Sequence, residues 1–322
     1  MNSRQHHYSF SYFRMFSVLF FALAMIPLAN AAPQLAQASA ATRSDLRARA
    51  ESGEAGAQYR LAKSILDHNP TPQEAESALK WLRASVAQNN ANAAFYLGYL
   101  YEHGKYVPRD YQLAFQSYEI GARAQFAPAE NNLASLYEHG QGVPKDMNKA
   151  FEWYQASAKH GDPVGQINLA TFYYVGYTVP RDNKETVHWL KLSSDSGLPE
   201  AQNTLAYFYF FGVGVPRDTA EAGRLVRLAA QKGLPGAETN MGFLYETGKA
   251  ASVDYVAAYS WYSRAIADGD LTSAERRREL SHIMTRKQLD EADSLTTTAG
   301  SRPVAAPVAV PSIGAFSLVG RH

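Results

Sequence analysis

Apolar positions in this chain recur at helical spacing, and the full pattern of apolar, glycine and acidic positions then repeats every 36 residues. Gly104, Gly140, Gly176, Gly212 and Gly248 keep that period. So do Tyr101, Tyr137, Tyr173, Tyr209 and Tyr245, and Asp110, Asp146, Asp182, Asp218 and Asp254. A fixed period of this size predicts a solenoid of supersecondary units, each too small to bury its apolar face alone and therefore stacked on its neighbours.

Residues 127–162 show how one unit works. Leu133, Ala134, Leu136 and Tyr137 fall on one face, predicting an amphipathic helix A over residues 128–139. Gly140 is placed to end it in the left-handed region, and Pro144 bars its continuation. Asp146 is positioned to N-cap a helix B whose buried stripe is Ala150, Trp153, Tyr154 and Ala158. Gly161 closes helix B, and Pro163 opens the next helix where its missing N–H costs nothing. Small residues at Gly98, Ala134, Ala170, Ala206 and Gly242 predict close approach of A to B, with Trp81, Trp153, Trp189 and Trp261 filling the space between repeats.

These columns form the run A-x-x-x-L-[GA]-x-x-Y-x-x-G-x-G-V-x-x-D-x-x-K-A-x-x-W-Y-x-x-A-A-x-x-G. It is carried here by Ala129, Leu133, Tyr137, Gly140, Gly142, Val143, Asp146, Lys149, Ala150, Trp153, Tyr154, Ala158 and Gly161. The pattern resembles the Sel1-like repeat family, α/α solenoids related to tetratricopeptide repeats, over residues 54–270. The resemblance implies an all-α, right-handed superhelical solenoid of about six 36-residue helix-turn-helix repeats with capping helices. It also implies an adaptor role of the kind the family plays in signalling, exopolysaccharide production and envelope assembly.

Outside the array the pattern changes. Residues 32–53 read as a linker and a lone N-terminal capping helix. Residues 55–90 are a divergent first unit in which Leu61, Ala62, Trp81 and Leu82 keep register while His68-Asn69-Pro70-Thr71-Pro72 replaces the glycine loop. The last unit loses the second loop glycine and the proline, at Ala250 and Ser252. Thr272 with Glu275 and Thr285 with Gln288 predict two capping helices over residues 271–295. Residues 296–322, with Pro303, Pro307 and Pro311, read as a flexible Pro/Ala-rich tail.

Charge and cysteine content narrow the class. Lys and Arg total 31 against 30 acidic residues, so no concentrated basic surface marks a nucleic-acid binder. With 0 cysteines the chain has no disulfide, thiolate metal site or lipidated cysteine. Arg4 and Arg14 precede an apolar run over residues 16–26, then Pro27 and the small-x-small site Ala29-Asn30-Ala31. That is the layout of a secretory signal peptide over residues 1–31, cleaved after Ala31, with an uncleaved membrane anchor as the alternative. The expected destination is the periplasm, or secretion beyond it, with no stable membrane insertion after cleavage.

Candidate chemistry is thin. Ser77-Ala78-Leu79-Lys80 matches S-x-x-K but lacks the S-D-N and K-T-G partners that give it meaning, so solvated helix residues are the better reading. His103 and His139 occupy one repeat position, which separates them by roughly 10–20 Å in stacked helix pairs and argues against a shared metal. No catalytic, metal or cofactor set emerges.

What remains is the surface of helix A, the concave side in related helical repeats. Removing the buried phase leaves Phe95, Tyr99, Glu102 and His103; Asn131, Ser135, Glu138 and His139; Ile167, Thr171, Tyr174 and Val175; Asn203, Tyr207, Phe210 and Phe211; and Thr239, Phe243 and Glu246 as outward positions. Contiguous exposed aromatics mark binding surfaces. Phe95, Tyr99, Asn131, Tyr174, Asn203, Tyr207, Phe210, Phe211 and Phe243 are therefore the predicted partner-binding set, with Asn132, Asn168 and Asn240 placed to hold a peptide backbone. Tighter winding that buries the rings between repeats is the competing expectation. The functional expectation is a non-enzymatic scaffold that binds a segment of another envelope protein in its groove. An enzyme or enzyme accessory acting on peptidoglycan or polysaccharide, and a secreted host-interaction factor, are the alternatives.

Overall fold

The computed structural model describes residues 44–249 and 252–298. The expected leader over residues 1–31, the loop residues Ala250 and Ala251, and the tail beyond residue 298 lie outside the described residues. Every regular element within them is helical. Helix α1 covers residues 44–51. Six A/B pairs follow, as repeats 1 to 6: α2 (Ala55–Leu66) and α3 (Pro72–Val86), α4 (Ala91–His103) and α5 (Tyr111–Arg123), α6 (Ala127–His139) and α7 (Met147–Lys159), α8 (Pro163–Val175) and α9 (Asn183–Asp195), α10 (Pro199–Phe211) and α11 (Thr219–Gln231), α12 (Pro235–Thr247) and α13 (Tyr255–Ala267). A 3-10 turn (Leu271–Ser273) leads into α14 (Ala274–Ile283) and α15 (Arg286–Thr298).

The punctuation behaves as the period predicts. Asp110, Asp146, Asp182, Asp218 and Asp254 each N-cap a helix B, their carboxylates accepting from free backbone N–H groups of the first turn. The same aspartates close the loop through the backbone: the Asp146 N–H donates to the Tyr137 carbonyl at 2.9 Å, and the equivalent bond recurs in the other four repeats that carry the pair. Helix A ends where Gly140 turns left-handed at φ 70°, and the other four glycines of that column do likewise.

Helix A meets helix B through the small-residue column. A Cβ built on Gly98 would lie 2.6 Å from the Tyr118 ring, and one on Gly242 would lie 2.4 Å from the Tyr262 ring, so both tyrosines pack flush on backbone. Trp153 and Trp189 each touch two neighbouring apolar clusters, as expected of residues that fill inter-repeat space. Serines add a second tie: Ser85, Ser157 and Ser193, near the ends of their B helices, donate to the first-turn carbonyls of Ala55, Ala127 and Pro163 at 2.6–2.9 Å.

Both ends are covered. Ala50 of α1 packs with Ala57 and Leu61, and Leu280, Met284 and Ala292 of α14 and α15 cover Ala258 and Tyr262. The Thr285–Gln288 capping box forms, with the Thr285 N–H donating to Gln288 Oε1 at 2.9 Å. The Thr272–Glu275 box does not. The Asp270 carboxylate, a stronger acceptor, takes both the Thr272 N–H and hydroxyl and starts a 3-10 turn, so Ser273 becomes the residue before α14. A box absent from the sequence reading forms at Thr71 and Glu74, which starts α3 after the divergent first loop. The last helix continues to Thr298, past the expected start of the tail.

Candidate functional site: the inner face of the A helices

The A helices form the inner side of the array because their side chains meet directly from one repeat to the next. Asn168 donates to Asn131 Oδ1 and Asn240 to Asn203 Oδ1, both at 2.8 Å. Tyr174 meets Phe208 edge-on at 5.6 Å, and Phe210 meets Phe243 at 6.3 Å.

This closeness corrects the expected exposure of the face. Tyr207, Phe210 and Phe243 are only 7%, 4% and 4% exposed, and Asn131, Ile167, Thr171, Asn203 and Thr239 are buried, because neighbouring A helices are wound tightly enough to pack on these side chains. The competing expectation of buried rings therefore holds for Tyr207, Phe210 and Phe243. Asn168 and Asn240 are spent between repeats rather than offered to a peptide. Phe95 and Tyr174 are half-buried, Phe95 lying between Tyr118 and Phe126. Tyr99 at 36% and Phe211 at 39% stay exposed, Tyr99 stacked on His103 with ring centres 4.2 Å apart.

In repeats 4 to 6 the rings form one connected array. Tyr174–Phe208, Phe208–Tyr207, Tyr207–Phe211, Phe211–Phe210 and Phe210–Phe243 are separated by 5.6, 5.6, 4.7, 5.0 and 6.3 Å. Cations lie over it: Arg181 over Tyr174 at 5.4 Å, Arg217 and Lys249 over Phe210 at 6.0 and 5.8 Å, and Lys249 and Arg276 over Phe243 at 5.0 and 5.6 Å.

Repeats 2, 3 and 6 carry an element that the sequence reading missed. The hydroxyls of Tyr118, Tyr154 and Tyr262 donate to Glu102, Glu138 and Glu246 at 2.5, 2.7 and 2.6 Å. Burial, reinforced by the adjacent carboxylate, pushes all three phenols well above their ordinary range, so they remain donors. The signal was present in the sequence: Tyr and Glu recur together at these two phases and are absent together from repeats 4 and 5.

Two further carboxylates are buried. Glu130 faces His160 Nδ1 at 2.8 Å, and Glu238 meets Arg264 at 3.1 Å. Burial pushes the Glu238 carboxyl up to about 7, with Asp268 reinforcing the shift and Arg264 opposing it. Glu238 Oε2 has no hydrogen-bond partner. Among the described residues no cluster of three or more His, Asp or Glu is arranged to hold a metal, and no helix is long and apolar enough to cross a membrane. Ser77 and Lys80 lie on α3, where Lys80 pairs with Glu76 at 3.1 Å in an exposed i,i+4 contact.

The architecture defines an α/α solenoid of the interaction-repeat class. The Sel1 repeat profile matches residues 55–90, 91–125, 127–162, 163–198, 199–234 and 235–270, and the chain belongs to the Sel1 repeat family. Among solved structures it is similar to a Sel1 repeat protein from Oxalobacter formigenes, with a TM-score of 0.64 and 25% identity over 75% of this chain and 100% of that one. A protective antigen of uropathogenic Escherichia coli with an SLR fold shares 25% identity over 80% of this chain and 64% of its own, at a TM-score of 0.48. An immunity protein from Pseudomonas aeruginosa shares 21% identity over 65% of this chain and 81% of its own, at 0.42. A search of curated proteins gives no significant match. A Sel1 repeat solenoid is generally a protein–protein interaction fold and typically a non-enzymatic scaffold.

Proposed function

We propose that this protein is a non-enzymatic scaffold or regulator of the bacterial cell envelope, acting in the periplasm and holding a segment of another envelope protein along the inner face of its A helices. The observation that carries the reading is the continuity of that face. Side chains of successive A helices touch from α6 to α12, so one unbroken surface runs across the repeats rather than a set of separate pockets. The envelope assignment is supported by the leader-like residues 1–31.

Of the predicted set, Tyr99 and Phe211 are exposed enough to meet a partner without disturbing the fold. The remaining rings support the face from beneath. Interface energy concentrates in aromatic anchors, so Phe211→Ala is expected to weaken capture of a partner from envelope extract by about 2 kcal/mol while the helical signal and melting temperature stay near wild type. Unchanged capture by a folded Phe211→Ala, Tyr99→Ala double variant would remove the inner face as the binding surface. Fractionation that recovers the chain only from the cytosol would remove the envelope assignment.

A further inference from the structure

The inner face is electrically uneven along its length. At one repeat position α4 and α6 carry Glu102 and Glu138, where α8 and α10 carry Tyr174 and Phe210. At a second position, just before each B helix, repeats 2 to 5 all carry a cation: Arg109, Lys145, Arg181 and Arg217. In repeats 2 and 3 the first position puts a carboxylate on the face, where it accepts from Tyr118 or Tyr154. In repeats 4 and 5 an aromatic ring takes its place, and the cation lies over that ring.

Repeat 6 extends the same strip. Lys249 stands over both Phe210 and Phe243, so it shares one ring with Arg217. Long cationic side chains cover apolar surface with their stems and keep their heads in water. This explains how Phe210 and Phe243 are buried while Arg181, Arg217 and Lys249 are exposed. Among the described residues none of these three cations makes an ion pair, and the nearby carboxylates are committed elsewhere. Asp182 and Asp218 cap α9 and α11, and Glu246 accepts from Tyr262 and Arg276.

We propose that this cation-on-aromatic strip over repeats 4 to 6 takes an acidic peptide segment of the partner, its carboxylates meeting Arg181, Arg217 and Lys249 and an apolar side chain meeting Phe211. The inference rests on the reading of the inner face as a peptide groove and adds the chemistry of the segment and its place along the array. Complementary charge of this kind sets partner choice and association rate, with a strong salt dependence.

A random dodecapeptide library displayed on phage, panned on the purified chain, tests it. The expected pool is enriched in Asp and Glu, binds about tenfold more weakly to Arg217→Glu, Lys249→Glu, and is unaffected by Arg109→Glu, Lys145→Glu in repeats 2 and 3. Arg217→Gln, Lys249→Gln keeps most of each stem over the rings and is expected to fall between the two; circular dichroism checks that each variant is folded. Polyglutamate should displace the pool and raised salt should weaken it. A neutral or basic pool, or an acidic pool indifferent to Arg217 and Lys249, overturns this inference and leaves the groove standing. Failure to enrich any peptide overturns both. Displacement by alginate as effective as by polyglutamate would replace the acidic peptide with an anionic polysaccharide.

Discussion

Repeats 2, 3 and 6 differ from repeats 4 and 5 in how they fill one slot between helix A and helix B. In the first group a buried tyrosine on helix B donates to a glutamate on helix A, as in Tyr118 to Glu102. In the second group helix B offers Leu190 or Val226 and helix A offers Tyr174 or Phe210. The partner columns change with it. Gly98 and Gly242 make room for Tyr118 and Tyr262, while Ala170 and Ala206 stand at that position in repeats 4 and 5; repeat 3 keeps Tyr154 with Ala134. Both arrangements bury the slot, but they leave different faces. The polar version leaves a carboxylate at the inner surface; the apolar version leaves a ring that a neighbouring cation covers. One structural column thus sets both core packing and surface charge.

The largest expected effect comes from exchanging one residue type at one phase in the two regions. Tyr99 and Tyr207 occupy the same repeat position, yet Tyr99 is 36% exposed and Tyr207 only 7%. Tyr207→Ala should cost about 3–5 kcal/mol, as loss of a packed aromatic does. Tyr99→Ala should stay within about 1 kcal/mol. Equal shifts in urea midpoint would mean that the two regions do not differ in winding.

Next is a transplant between the groups. Leu190→Tyr adds a ring and a hydroxyl beside Tyr174, which already fills the slot and offers no carboxylate, an overpacked and unsatisfied site that should cost about 2–4 kcal/mol. Adding Ala170→Gly and Tyr174→Glu should restore most of that loss. If the triple variant is no more stable than Leu190→Tyr alone, the two fillings are not interchangeable solutions of one slot.

A smaller effect separates the buried carboxylate of repeat 6 from the amides at the same position in repeats 4 and 5, Gln166 and Gln202. The folded Glu238 carboxyl is raised to about 7 from an ordinary value of 4.5. Folding therefore favours its protonated form. The associated stability is complete below the unfolded value and is lost as pH rises through about 7. Glu238→Gln should remove that slope and raise the melting temperature at pH 8, by a free energy on the order of 1–2 kcal/mol. A pH–stability curve between 4 and 8 that keeps its slope in the variant would refute the assignment. Of similar size is Tyr118→Phe, which removes one hydrogen bond to a carboxylate and should cost about 1–2 kcal/mol; the same bond counted by Glu102→Gln should show coupling in a double-mutant cycle.

The period made most of the fold legible before any coordinates. Glycine stops, aspartate caps and the tryptophan column are local or strictly periodic, so a single unit reveals them. Exposure on helix A was not legible in the same way. Tyr99 and Tyr207 share a phase, but their surroundings differ: Tyr207 lies in one apolar cluster with Ile167 of α8 and Met241 and Phe243 of α12, whereas Tyr99 stacks on His103 and Tyr96 of its own helix. Helical phase reports which way a side chain leaves its own helix, and burial on an inner face is decided by the next helix along. The asparagine pairs show the same limit. Asn131 and Asn168 are 37 residues apart, one off the period, because adjacent A helices meet obliquely and join unlike positions.

Those asparagine pairs also divide the array mechanically. Directional amide bonds join α6 to α8 and α10 to α12, while the matching positions between α8 and α10 hold Ile167 and Thr204, which cannot form such a pair, and the joint is made by aromatic contact. Packing of rings tolerates sliding that a linear hydrogen bond does not. Treated as a spring, the stretch from repeat 3 to repeat 6 has two stiff couplings on either side of a softer one, so pulling on it concentrates bending between repeats 4 and 5. Within repeats 3 to 6 the pitch of the inner groove is adjustable at that joint and held at the two beside it.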